Sequence, residues 1–196
     1  MNLPTEKQCF KIIRKMEMME HIVDHSVMVS NVAVCLCHSI RGTNCVINID
    51  LVKSSALLHD ITKTRSFDTG EIHSDTGAAL MIQMGYPEIG EIIRQHVMLD
   101  PTPTTAPILP EEIVNYADKR VLHDQVVSLD KRLAYIKIKY GKKPEFGPKI
   151  QEMWENTLAL ETKLFKKINF SPAELSGKVM PVVKKSANPP RKTEQF

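Results

Sequence analysis

Histidine and aspartate recur through the first two thirds of this 196-residue chain in an order suited to metal chemistry: His25, His59-Asp60, His73, His96 and Asp118. His25 lies within a helical pattern. His59-Asp60 closes the apolar run Ala56-Leu57-Leu58, and Asp118 follows Asn115-Tyr116-Ala117 in another apolar stretch. His73 opens one helical segment and His96 ends the next. Imidazole nitrogen and carboxylate oxygen are ligands for iron, manganese, zinc and related ions, whereas magnesium prefers oxygen alone. On several rigid helices, with coordination positions left open, such a set holds one or two divalent ions that activate water near neutral pH. Asp60 is placed to serve two ions, with His25, His59 and Asp118 on one and His73 and His96 on the other. Spacing alone does not assign ligands to ions.

Each residue taken singly has a plainer explanation. A His-Asp dipeptide is common, His25 could be a satisfied core histidine, His73 could merely start a helix, and Asp118 could pair with Lys119 or Arg120. The six together, in this order, carry the metal reading. Cations stand close by. Lys63 lies about one helical turn beyond Asp60, within reach of a phosphate at the metals, and Arg65 and Arg94 are weaker candidates for that task. Lys119, Arg120 and His123 after the last aspartate form a candidate phosphate clamp, although basic residues after a core helix are as often on the surface. His21, four residues before His25, shares its helical face, and His38 reads as structural or surface.

The pattern His25-Ser-x-x-Val, Ala56-Leu-Leu-His59-Asp60-Ile-Thr-Lys63, His73-x-x-x-Gly77-Ala78, His96 and Ala117-Asp118-Lys119 resembles the HD-domain superfamily of phosphohydrolases over roughly residues 20–125. The resemblance implies an all-α HD-domain helical bundle with a metal site at its centre. It implies hydrolysis of a phosphoester or phosphoanhydride, commonly in a nucleotide, with Asp60 and Lys63 catalytic and Lys63 neutralising substrate phosphate. His73 and His96 resemble the subset that holds two metals, often iron. The branch that splits symmetrical dinucleoside tetraphosphates keeps the same six positions. There a Glu-Pro and an Arg follow the last aspartate, where this chain has Lys119-Arg120-Val-Leu-His123-Asp124. Two other readings share the ligand order: a diiron oxygenase of HD type, and a nucleotide-sensing module without turnover.

Helical periodicity supplies the elements that must position these groups. Apolar residues at three- and four-residue steps predict helices from about Thr5 to Met19 and from about His21 to Ser39. Gly42 and Asn44 mark a loop, and Asp50 is the expected N-cap of a helix running to Asp60. Thr62 to Gly70 reads as polar and irregular. Further helices are expected from His73 to Gly85 and from Pro87 to His96, with proline in the first turn of the second. The proline-rich stretch from Asp100 to Pro110 is a loop and a candidate lid. Helices then resume from Glu111 to Tyr140, with a break near Asp124. The last runs from Phe146 to Ile168, its stripe packing either within the monomer or against a copy in a homodimer.

Composition sets the remaining bounds. Apolar residues make up 42% of the chain and aromatics only 6%, so aliphatic side chains and ten methionines fill the core, which suits packed helices. Residues 171–196 carry five basic and two acidic side chains, while the first 170 balance at zero. The charge excess thus belongs to a proline-rich basic tail expected to be disordered after a bundle spanning 1–170, and no specific nucleic-acid binding is expected. No basic-then-apolar leader is seen, and polar residues interrupt the apolar stretches, so no membrane contact is expected. Cys35 and Cys37 face different ways on a helix, and with Cys9 and Cys45 they read as reduced core residues of a cytoplasmic protein. The expected partner is a small phosphorylated molecule, a nucleotide by family resemblance.

Overall fold

Thr5 starts the first helix because its hydroxyl accepts the Gln8 amide while the Gln8 side chain returns to the Thr5 amide, satisfying two otherwise orphaned donors. This computed structural model describes residues 2–41, 47–101, 107–141 and 146–179. Helix α1 spans Glu6–Lys15 and α2 Glu20–Ser39. They are followed by α3 (Ile49–Leu58), α4 (Lys63–Thr69), α5 (His73–Gln83), α6 (Pro87–Arg94) and α7 (Pro110–Lys119). A two-stranded antiparallel hairpin, β1 (Val121–Leu122) and β2 (Gln125–Val126), then leads into α8 (Leu129–Tyr140) and α9 (Phe146–Phe165). A 3₁₀ turn at Pro172–Glu174 and a short α10 (Leu175–Lys178) complete the described chain.

Two helices form the centre. Helix α2 buries Val29, Val32, Ala33 and Leu36 and packs on α3 and α7. It is long and apolar enough to cross a bilayer, but 56% of its most apolar window is buried inside the protein, as befits a core helix. Helix α7 is buried on every side from Glu112 to Lys119. A helix enclosed in this way must satisfy each of its polar groups internally. Glu112 does so through Lys163 of α9, whose Nζ donates to both carboxylate oxygens at 2.7 and 2.9 Å.

Several boundaries differ from the sequence reading. Asn48, not Asp50, caps α3: its Oδ1 accepts the Leu51 amide at 3.0 Å, and Asp50 sits in the first turn, where its charge complements the helix dipole. Thr62 to Gly70 is not irregular. Lys63–Thr69 is helical and ends on Gly70 at φ 70°, the left-handed conformation that stops a helix. The break near Asp124 is the hairpin. The apolar stripe of α9 packs within the monomer on α7 and α8, burying Met153, Trp154, Leu160 and Leu164, with Leu158 left exposed. The folded body also continues past Ser171, because Leu175 and Val179 are buried and the Pro172 carbonyl accepts Arg120 Nη2 at 2.8 Å. Gly42, Asn44, Cys45, the centre of the candidate lid (102–106) and the remainder of the tail (180–196) lie outside the described residues.

Helices α5 and α6 deliver His73 and His96 and approach each other closely at Gly90. A Cβ there would stand 2.8 Å from the Ala78 carbonyl oxygen and 2.8 Å from Ile82 Cγ1, and backbone cannot yield as a side-chain tip does. Gly90→Ala should therefore separate the two helices and cost about 1–3 kcal/mol in urea unfolding. A cost under about 0.5 kcal/mol would mean that the contact is not tight.

Candidate metal centre

The buried end of α3 illustrates how this fold aims a ligand. The last carbonyls of a helix lack intrahelical partners. His59, the C-cap of α3, donates Nδ1–H to the Ala56 carbonyl at 2.8 Å, which leaves Nε2 with a lone pair. The device recurs after α6, where His96 Nδ1 donates to the Ile93 carbonyl at 2.7 Å. His25, within α2, donates Nδ1–H to the His123 carbonyl at 2.9 Å. His123 sits in the hairpin turn at φ 55°. These tautomers follow from the hydrogen-bond network. All three rings thereby present Nε2 to one place, the usual arrangement for metal-binding histidines oriented through the other ring nitrogen.

Both carboxylates lie among those lone pairs. His25 Nε2 is 3.0 Å from Asp118 Oδ1, and His59 Nε2 is 3.4 Å from Asp60 Oδ2 and 3.8 Å from Asp118 Oδ1. His73 Nε2 and His96 Nε2 are 3.2 and 3.5 Å from Asp60 Oδ1 and 3.1 Å from each other. The structure thus brings all six predicted ligands together. The donor atoms of His25, His59 and Asp118 lie within 4.8 Å of one another, as do those of His59, Asp60 and His96. His59 Nε2 and Asp60 Oδ1 are buried and, despite these short distances, make no hydrogen bond of acceptable angle among the described residues. Lone pairs facing carboxylate oxygens at such distances repel unless a cation lies between them. The donor set therefore fits one or two divalent transition-metal ions.

Electrostatics agree in direction. Burial pushes the Asp60 and Asp118 carboxyls up, yet both are held well below the usual carboxylate range, Asp60 by Lys63 and His59, Asp118 by Lys119, His25 and Arg132. Burial lowers the His59 imidazole, but the carboxylates of Asp60 and Asp118 outweigh it and raise it. His96 is lowered to about 4, chiefly by burial, and is a neutral ligand at neutral pH. His59, Asp60 and His96 are almost fully enclosed, while His73 and Lys63 retain 23% side-chain exposure. The centre opens on the side of those two residues.

The nearby cations divide. Lys63 Nζ donates to Asp60 Oδ2 at 2.8 Å. Lys119 is buried and donates to Asp118 Oδ2 and to the His96 carbonyl, both at 2.9 Å, so it orients ligands and is not open to substrate. Arg120 faces the other way: its three nitrogens donate to the Val127 carbonyl, to Tyr116 and Glu161, and to the Pro172 carbonyl. A helical residue two past Asp118 lies on the opposite side of α7, which explains the correction. Arg94 is likewise spent on the surface, paired with Glu91 and Asp100, and Arg65 pairs with Glu71. His21 and His38 are exposed.

Three contributors escaped the sequence reading. The His123 carbonyl orients His25, and main-chain groups leave no mark in a sequence. Asn115, three residues before Asp118 on the same face, donates to the Gln95 and His96 carbonyls at 2.9 and 3.0 Å and fixes the end of α6; that spacing was a usable signal. Arg132 of α8, with Nη2 3.4 Å from Asp118 Oδ1, is brought in from beyond the hairpin. Lys119→Met removes the buried cation bonded to Asp118, so it should cost about 3–5 kcal/mol and lower metal content. Arg94→Gln should leave metal content unchanged. Equal metal content in wild type and Lys119→Met would overturn the orienting role.

Comparison with known proteins agrees with this centre. The HD-domain family model matches residues 22–121, which include every ligand named above. Uncharacterized protein MJ0778 of Methanocaldococcus jannaschii is 28% identical over 136 residues, covering 63% of this chain and 79% of that protein. The crystal structure of a predicted HD superfamily hydrolase from an uncultured Thermotogales bacterium aligns with 84% of this chain and 91% of its own, at 18% identity and a TM-score of 0.46. With just over half of its length matched by the family model and the ligand order intact, the chain belongs to the HD-domain family of metal-dependent hydrolases.

Proposed function

We propose that this protein is a metal-dependent phosphohydrolase that cleaves a phosphoester or phosphoanhydride bond in a small molecule, with nucleotides as the substrate class. Lys63 carries the reading. Its ammonium is bonded to Asp60 at the half-open margin of the centre, beside His73, so positive charge stands where a substrate must enter. That suits an anion such as phosphate.

Divalent ions held by His25, His59, Asp60, His73, His96 and Asp118, iron or manganese in our reading, would polarise a phosphoryl group and activate a water for attack on phosphorus. The protein's own groups do the rest. Lys63 neutralises charge that grows on the phosphoryl oxygens, and Asp60 keeps that ammonium in place. The buried imidazoles keep bulk water from the inner side, where a low dielectric strengthens these interactions.

Asp60→Ala should abolish metal uptake and turnover together. His73→Ala should lower metal content from about two ions per chain to about one, as expected where it serves the second ion of a pair. Lys63→Met should keep the metal and lose about 10²–10³-fold in kcat/KM, the usual cost of removing one charge-stabilising donor. The assay is phosphate release from a panel of nucleotides and dinucleoside polyphosphates by iron- or manganese-loaded protein under anaerobic conditions. No release from any substrate, together with oxygen consumption by the iron form, would replace this reading with an oxygenase.

A further inference from the structure

Arg120, buried at the end of α7, and Arg132, partly buried on α8, differ in how their hydrogen-bond donors are met. A guanidinium is always charged and offers five donors, so enclosing it is costly unless those donors are met. Arg120 meets this requirement: Nε, Nη1 and Nη2 all donate to protein acceptors. Arg132 does not. Its side chain is only 13% exposed, yet among the described residues its hydrogen bond to a side chain is the contact of Nη2 with Asp118 Oδ1 at 3.4 Å, long for a charge-assisted bond. Its Nε is buried with no hydrogen-bond partner among the described residues.

Asp118 has a closer cation in Lys119, whose Nζ donates to Oδ2 at 2.9 Å. What holds Arg132 in this position is local. Ser128 caps α8 by accepting the Lys131 amide, the Arg132 amide donates to the Ser128 carbonyl at 3.1 Å, and the guanidinium lies 5.9 Å from the centre of the Tyr135 ring one turn on. Helix α8 thus carries an undersaturated, enclosed cation to the Asp118 end of the centre, while Lys63 stands at the Asp60 end.

We propose that Arg132 is a substrate-binding residue whose guanidinium, held by Asp118 through one long contact, takes a phosphoryl oxygen of the substrate at the Asp118 end of the centre. Arginine is suited to this because its planar fork matches phosphate geometry. The inference rests on the phosphohydrolase reading and adds a specific holder for the phosphoryl group.

The test is calorimetric titration of inorganic phosphate into manganese-loaded full-length wild type, Arg132→Gln and Arg132→Lys, with metal content and thermal midpoint measured for each. Arg132→Gln should bind phosphate about 10- to 100-fold more weakly, the range for a lost charged hydrogen bond, with metal content retained. Arg132→Lys, which keeps the charge without the fork, should fall in between. Wild-type affinity in Arg132→Gln overturns the assignment, and so does loss of metal alongside phosphate, which would make Arg132 a support for Asp118. If Arg132→Gln does not fold, Arg132→Lys decides: weaker phosphate binding at full metal content supports the role, and wild-type affinity refutes it. If the wild type takes up no phosphate, the phosphohydrolase reading falls, and this inference with it. Normal wild-type binding with an unaffected variant refutes the inference alone.

Discussion

Asp60 and Asp118 place two negative charges at the middle of a helical bundle, where water cannot solvate them. An unpaired carboxylate in such surroundings would take up a proton, losing its value as a ligand. The surrounding structure prevents this. Lys63 and Lys119 each donate to one carboxylate. The remaining lone-pair-to-oxygen contacts are favourable only with further positive charge between them, so this part of the fold is organised around a cation.

Helix α7 shows how the rest of the molecule answers to that requirement. Glu112, Asn115 and Asp118 recur at three-residue steps with Lys119 beside the last, and each is matched to a neighbour: Glu112 to Lys163, Asn115 to the carbonyls that end α6, Asp118 to His25, and Lys119 to the His96 carbonyl. Removing any partner would leave a buried polar group unsatisfied, which costs more than an ordinary surface change. The same contacts that stabilise the bundle hold the ligands in place. Stability and site geometry are therefore coupled here, which is why the close packing of α5 on α6 at Gly90 bears on His73 and His96 as well as on the core.

Enclosure is uneven, and the unevenness separates roles. The imidazoles of His59 and His96 are shut away, whereas His73 and Lys63 look outward. Lys119, on the closed side, orients ligands. Charged groups at the margin are available to something arriving from solution. Lys119 and Lys63, similar in a sequence and each bonded to one ligand carboxylate, end up with different tasks for this reason alone.

The ligand order was legible in the sequence because side chains that bind metals are few in type, and because each one interrupts or ends an apolar helical run. Periodicity likewise identified α2, α5 and α9 and the all-helical class. Local capping was less legible: Asn48 and Asp50 are both good N-cap residues, and only the backbone direction before α3 chose between them. The helix Lys63–Thr69 has no buried residue, so it lacks the apolar stripe that periodicity detects. Among the basic residues, Arg94, Lys119, Arg120 and Arg132 cannot be ranked by sequence, since a long flexible side chain takes its function from whatever acceptor the tertiary structure puts within reach. The sequence by itself determined which atoms could bind a metal and in what kind of fold. The bare nitrogens of His59 and His96 follow from local bonds to carbonyls three residues back, but which cation faces the centre, which faces a structural acceptor, and how His25 is turned were decided by segments distant in sequence, as where His25 meets the His123 carbonyl 98 residues on, because only folding puts those acceptors within reach.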